Sequence, residues 1–252
     1  MQTNKNSTGV FIFLVIAIST LALLTAIGGS NQRTLAGPKQ DDATPCQEGM
    51  TDSQREHSKL YKAFASRRNL RSLAESSATD IEIVNGIPQQ AFTSEAPPFN
   101  LQDFLRDMAR ESDAVVIGIV SKKASFFTED ETFVFSDYDL NVEEVLKNNH
   151  SHPIKLTSLT VTRPGGTVMV GRRAVRAVDE SLEPLAVGER YLLFLEFIPR
   201  TGAYKAFNSK GSFQLEGNNT LKLTRENLPY ELESGTKASL LISTIRNVAG
   251  QS

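Results

Sequence analysis

The chain has 252 residues, 40% of them hydrophobic, with a formal net charge of −2, one cysteine and no tryptophan. A single cysteine excludes an internal disulfide framework. A near-neutral balance argues against nucleic-acid binding, which goes with a clear basic excess.

The first element is Val10–Ile27, eighteen residues without a charge. As a helix it would reach about 27 Å, against a hydrocarbon core of roughly 30 Å. It is longer than the apolar region of a signal peptide, about 7–15 residues. Lys5 precedes it and Arg33 and Lys39 follow, so the flanking charges say little about orientation. Ala26-Ile27-Gly28 has the small–any–small pattern that signal peptidase accepts. Residues 1–28 therefore read as a signal peptide or a signal-anchor helix. Both readings place the rest of the chain outside the cytoplasm, secreted or held by a single membrane pass. The membrane is the first expected partner.

Residues 29–99 are poor in apolar side chains and rich in Ser, Thr, Gln, Asp and Pro, the composition of a low-order linker. Cys46 lies here, too far past the apolar run for lipid attachment. Within 53–75, Leu60 and Phe64 sit four apart among Arg55, Lys59, Lys62, Arg67, Arg68 and Arg71. That spacing predicts a basic, weakly amphipathic helix, which would either touch anionic headgroups or an acidic partner, or stay solvated. Pro97-Pro98 favours an extended boundary.

Residues 100–252 form the expected folded domain, with about 150 residues to bury roughly 68–70% of the unfolded surface. Asn100 is a good N-cap, and Leu101, Phe104, Leu105, Met108 and Ala109 fall on one helical face. The period then becomes that of strands. Ala114–Val120 is a continuous β-branched run, as for a strand covered on both faces. Thr132–Val145 alternates with a phase slip, Phe133 and Phe135 on one face and Tyr138, Leu140 and Val142 on the other; a bulge near Ser136 would reconcile them. Ile154–Thr162, Thr167–Val178 and Tyr191–Phe197 are further strands, with turns at Pro164-Gly165-Gly166, Thr201-Gly202 and Gly217-Asn218-Asn219. Lys237–Val248 returns to helical spacing.

This pattern predicts a mainly β domain, a small closed or partly closed barrel between N- and C-terminal helices. An immunoglobulin-like sandwich is the alternative, but its Cys–Trp–Cys core is absent. Three segments add a resemblance. Ser112–Val120 looks like the first strand of tissue-inhibitor-of-metalloproteinase and netrin-like domains, Val142–Lys147 is similar to the end of their second, and Leu185–Leu195 resembles their glycine, charged residue, tyrosine, apolar-strand segment. The resemblance spans roughly Leu101 to Leu223 and implies an OB-like, five-stranded Greek-key barrel. It does not carry over the inhibitory mechanism, because no cysteine stands at the start of the strand to chelate a protease zinc.

Candidate chemistry is sparse. His150 and His152 share a loop but lack the further ligands of a tetrahedral metal site. His57 falls in the linker. Asp137, Asp139 and Asn141 alternate on one strand, which splays them about 7 Å apart instead of wrapping them round a cation. Glu129, Asp130 and Glu131 read as a solvated turn. Arg163, Arg172, Arg173 and Arg176 bracket the Pro-Gly-Gly turn and form the candidate binding surface, although from residue 100 onward 18 Lys and Arg face 20 Asp and Glu. No cofactor, metal or nucleic acid is implied. The expectation is a non-catalytic, exported binding module for an unknown protein or envelope ligand. The alternatives are a hydrolase using Asp137, Asp139 and Glu143, or an inhibitor with an atypical contact mode.

Overall fold

The computed structural model describes residues 44–45, 49–64, 66–85, 101–155, 158–207, 211–217, 220–222 and 238–249. In chain order these give β1 (Thr44–Pro45), α1 (Asp52–Leu60), a 3-10 turn (Lys62–Phe64), α2 (Leu70–Ser76), β2 (Ile81–Asn85) and α3 (Leu101–Glu111). Next come β3 (Ala114–Phe127), β4 (Val134–Lys147), β5 (Leu159–Pro164), β6 (Gly166–Val170) and β7 (Arg173–Asp179). The chain continues with β8 (Arg190–Ile198), β9 (Ala203–Ala206), β10 (Ser212–Glu216), β11 (Thr220–Lys222) and α4 (Ser239–Ala249). The described residues are mainly β, with mixed sheets and four α-helices. The apolar run Val10–Ile27 lies outside the described residues, among which no helix is long and apolar enough to cross a membrane.

The larger sheet runs β11-β10-β8-β3-β4-β5-β9, and β8 also pairs with β9. Five strands therefore pair in a circuit, β3-β4-β5-β9-β8 and back to β3. Every join in it is antiparallel except β5–β9, which is parallel. The apolar runs at Ala114–Val120 and Tyr191–Phe197 become neighbours, Val116 facing Leu193 and Gly118 facing Tyr191. Both are covered on two sides. Val116, Val120, Leu193 and Leu195 join Tyr138, Leu140, Val161 and Tyr204 in one core. Val115, Ile117, Leu192 and Phe194 face the other way, against Leu105 and Met108 of α3 and Leu241 and Ile245 of α4. Lys147 Nζ fastens the C-terminal end of α3, donating to the carbonyls of Ala109, Arg110 and Ser112 at 2.8, 3.0 and 2.6 Å. A cation there also meets the negative end of the helix dipole.

The expected bulge near Ser136 is absent: β3 and β4 stay in register from Lys122↔Asp139 to Phe127↔Val134. The register shifts occur at Val115/Val116, Ile117/Gly118 and Val120/Lys122 instead. Tyr138 and Leu140 face the core inside the circuit while Phe133 and Phe135 face a third core, so the apparent phase slip marks two buried faces. The expected strand Thr167–Val178 is in fact the hairpin β6–β7, turned at Gly171 with φ 59°.

The third core belongs to a smaller sheet of order β1-β6-β7-β2. It corrects the expected low-order linker over 29–99. Residues 49–64 and 66–85 are folded, and Tyr61, Leu70 and Ala74 are buried with Phe126, Phe133, Phe135, Val168 and Val175. The single basic helix expected at 53–75 is two helices with a 3-10 turn between them. Composition misled because each short element contributes one or two apolar side chains to a core whose aromatic mass comes from β3 and β4. Thr51 and Gln54 form a capping box at the start of α1. Gly166 leads β5 into this sheet with φ 145°, and a Cβ there would overlap the hydroxyls of Ser136 and Ser125. Only glycine fits that crossing.

Candidate functional site

Register places Lys122, Ala124 and Phe126 of β3 beside Asp139, Asp137 and Phe135 of β4, and these beside Thr160, Thr162 and Pro164 of β5. Paired residues share a face, and this face is turned away from Tyr138, Leu140 and Val161. It would be a wet surface, but α1 lies on it. Tyr61 stacks on Phe135 with ring centroids 5.6 Å apart and donates its hydroxyl to Thr162 Oγ1 at 3.3 Å. Burial pushes the Tyr61 hydroxyl well above the ordinary tyrosine range, a rise the Thr162 hydrogen bond only partly offsets.

One turn earlier, His57 is 2% exposed, and its Nδ1 lies 3.0 and 3.1 Å from the two oxygens of Asp137. A carboxylate only accepts, so Nδ1 carries a proton. The other ring nitrogen, Nε2, is buried with no partner among the described residues. The Asp137 side chain is 12% exposed. Beside the pair lies a cleft of about 270 Å³, lined among others by Ser53, Lys122, Asp139, Thr160 and Thr201. Asp139 accepts from Thr160 Oγ1 at 3.2 Å. Two residues singled out separately in the sequence, a linker histidine and a strand aspartate, thus meet across 80 positions.

The remaining candidates are dispersed. Glu143 pairs with Arg190 at 2.5 Å, away from the cleft. Glu131 has a positive φ of 56° and receives Arg71 and Asn69, anchoring α2 to the β3–β4 turn. Burial pulls the Asp130 pKa up, but hydrogen bonds from Thr132 and Thr128 outweigh that and hold it below the usual carboxylate value. His150 is exposed, and His152 stacks on Phe197. No group of three or more His, Cys, Asp or Glu among the described residues is placed to hold a metal ion.

The four candidate arginines do not form one surface. Arg163 is 2% exposed, its guanidinium reaching the Glu183 carbonyl at 2.5 Å and Ser212 Oγ at 2.8 Å. A strand arginine is long enough to span to a neighbouring strand, and no local pattern of residues signals that reach. Arg172 is exposed and Arg173 half-buried at the β6–β7 turn, while Arg176 lies 3.4 Å from Glu82 of β2. Neither Arg172 nor Arg176 lines the Asp137 cleft. Compared with protein-family models and with curated proteins, the chain matches none.

Proposed function

We propose that this chain is an exported, non-catalytic binding module, held near a membrane by its N-terminal apolar run and built on an OB-like barrel. The observation that carries the reading is the five-strand circuit with its one parallel join, β5–β9. A five-stranded Greek-key barrel has that pairing order, and the resemblance to tissue-inhibitor and netrin-like domains points the same way. Three acids of β4 are tied into pairs, Asp137 with His57, Glu143 with Arg190 and Glu144 with Arg246, an arrangement that favours holding a surface over turning over a substrate. The full chain in detergent, offered cell-envelope extracts, should bind a ligand saturably without consuming it.

A carboxylate-based hydrolase is the second reading, favoured by the meeting of His57, Asp137 and Asp139 at one cleft. Hydrolysis of any extract component that disappears in Asp137→Asn and Asp139→Asn would replace the first reading with the second. Mass spectrometry of the mature N-terminus from a membrane fraction tests the anchor: retention of residues 1–28 is expected for a tether, and their loss gives a secreted form.

A further inference from the structure

A second cleft, of about 410 Å³, opens on the other side of β5 between the loop after β4 and the β8–β9 hairpin. Its wall is a layered aromatic stack. The exposed His152 ring lies on Phe197 with centroids 4.0 Å apart and planes 17° from parallel. Phe197 in turn meets Tyr204 edge-on at 5.3 Å. The stack is fixed in place: Tyr204 Oη donates to the His152 carbonyl at 3.0 Å. Asn149 Oδ1 accepts from the backbone N–H groups of Ser151 and His152 at 2.9 and 3.1 Å. A side-chain-closed turn of this kind presets the loop, so little ordering cost falls on a ligand. The rim carries the hydroxyls of Ser151 and Ser158 and the ammonium of Lys155, and the described lining contains no carboxylate.

We infer that this cleft binds an acidic saccharide, a pyranose bearing a carboxylate or sulfate, and so names the ligand class of the binding module proposed above, on which it rests. The flat imidazole, backed by Phe197, offers an apolar platform to the C–H face of a sugar ring. Serine hydroxyls match ring hydroxyls, and Lys155 selects the negative substituent. The match of a cation with no ion-pair partner among the described residues to an anionic ligand separates this from a neutral glycan. The chain's net charge of −2 disfavours a polyanionic nucleic acid, whose affinity rests on many phosphate contacts.

The test is calorimetric titration of the full chain in detergent with trigalacturonate, with a neutral trisaccharide of the same length, and with a six-nucleotide oligothymidylate. Saturable binding of trigalacturonate is expected. Lys155→Met should weaken it about tenfold while leaving the neutral sugar unchanged, the loss of one charge-assisted hydrogen bond. His152→Ala should weaken both sugars; because His152 is exposed and its bond from Tyr204 is to its backbone carbonyl, that variant should still fold, losing only the stacking contact with Phe197. Trigalacturonate binding untouched by either variant overturns the inference, as does tighter binding of the oligonucleotide lost in His152→Ala. Saccharide silence alongside capture of an envelope ligand overturns it and leaves the binding module standing. Silence with both overturns both.

Discussion

The five-strand circuit and the core under the smaller sheet both draw side chains from β3 and β4 but are specified in opposite ways. The circuit is built on two nearly all-apolar runs, each buried on both faces, so its elements announce themselves. The smaller sheet is assembled from pieces two to seven residues long, drawn from residues 44–45, 81–85 and 166–179, with α2 packed on β6 and β7. None of those pieces could bury its apolar face alone. β3 and β4 lend one face to each core, so a natural expectation is that the circuit is the template on which the smaller sheet forms.

If that order holds, damage to the circuit should be global and damage to the smaller sheet local. Phe194 is fully buried between β8, the two helices and Phe213. Phe194→Ala should cost about 3–5 kcal/mol and lower hydrogen-exchange protection in both regions. Leu70 is fully buried on α2. Leu70→Ala should cost about 2–5 kcal/mol by the same cavity argument, but protection should fall in α1, α2 and β2 while β3 and β8 keep theirs. Equal loss everywhere in Leu70→Ala would merge the two regions into one cooperative unit.

A finer probe is the bond that seats α1. His57→Ala strips the mostly buried Asp137 carboxylate of its partner, which should cost about 1–3 kcal/mol. Adding Asp137→Asn removes the orphaned charge, so the double variant should recover part of the loss. Additive costs in the double-mutant cycle would mean the two groups do not interact in solution.

What could be read in advance follows the same division. Ala114–Val120 and Tyr191–Phe197 were legible because burial on both faces leaves Glu196 as the one charged position in either run. The helix over Leu101–Glu111 was legible because its apolar side chains repeat at one helical spacing. The His57–Asp137 contact was not, because nothing in a local window links residues 80 apart. Arg163 looked like a surface residue because charge in a strand usually means solvent; here its partners are a carbonyl and a hydroxyl on other segments. Two faint signals did exist for the smaller sheet. Thr51 and Gln54 have capping-box spacing, and Ile81-Glu82-Ile83 alternates with period two. The side-by-side burial of Phe133 and Phe135 against Tyr138 was a third, a sign that β4 serves two cores.

The smallest effect distinguishes the two cores by pH. Tyr138 lies inside the circuit, and burial pushes its hydroxyl from 10.0 to about 12. Tyr61, in the smaller core, is also raised, mainly by burial. An unfolded tyrosine ionises near 10. Above that pH the unfolded chain therefore holds fewer protons than the folded one, and stability falls as pH rises. The contribution is whole below pH 10 and is lost as pH climbs through the folded values, at about 1.4 kcal/mol per pH unit for each such tyrosine. Tyr61→Phe deletes one hydrogen bond, to Thr162, and should cost about 0.5–1.5 kcal/mol at pH 7. It also removes one of these shifted ionisations, so its urea-unfolding free energy should fall less steeply between pH 10 and 12 and the gap from the parent should narrow. An unchanged alkaline slope would mean that Tyr61 reaches solvent and that α1 is not seated on β4.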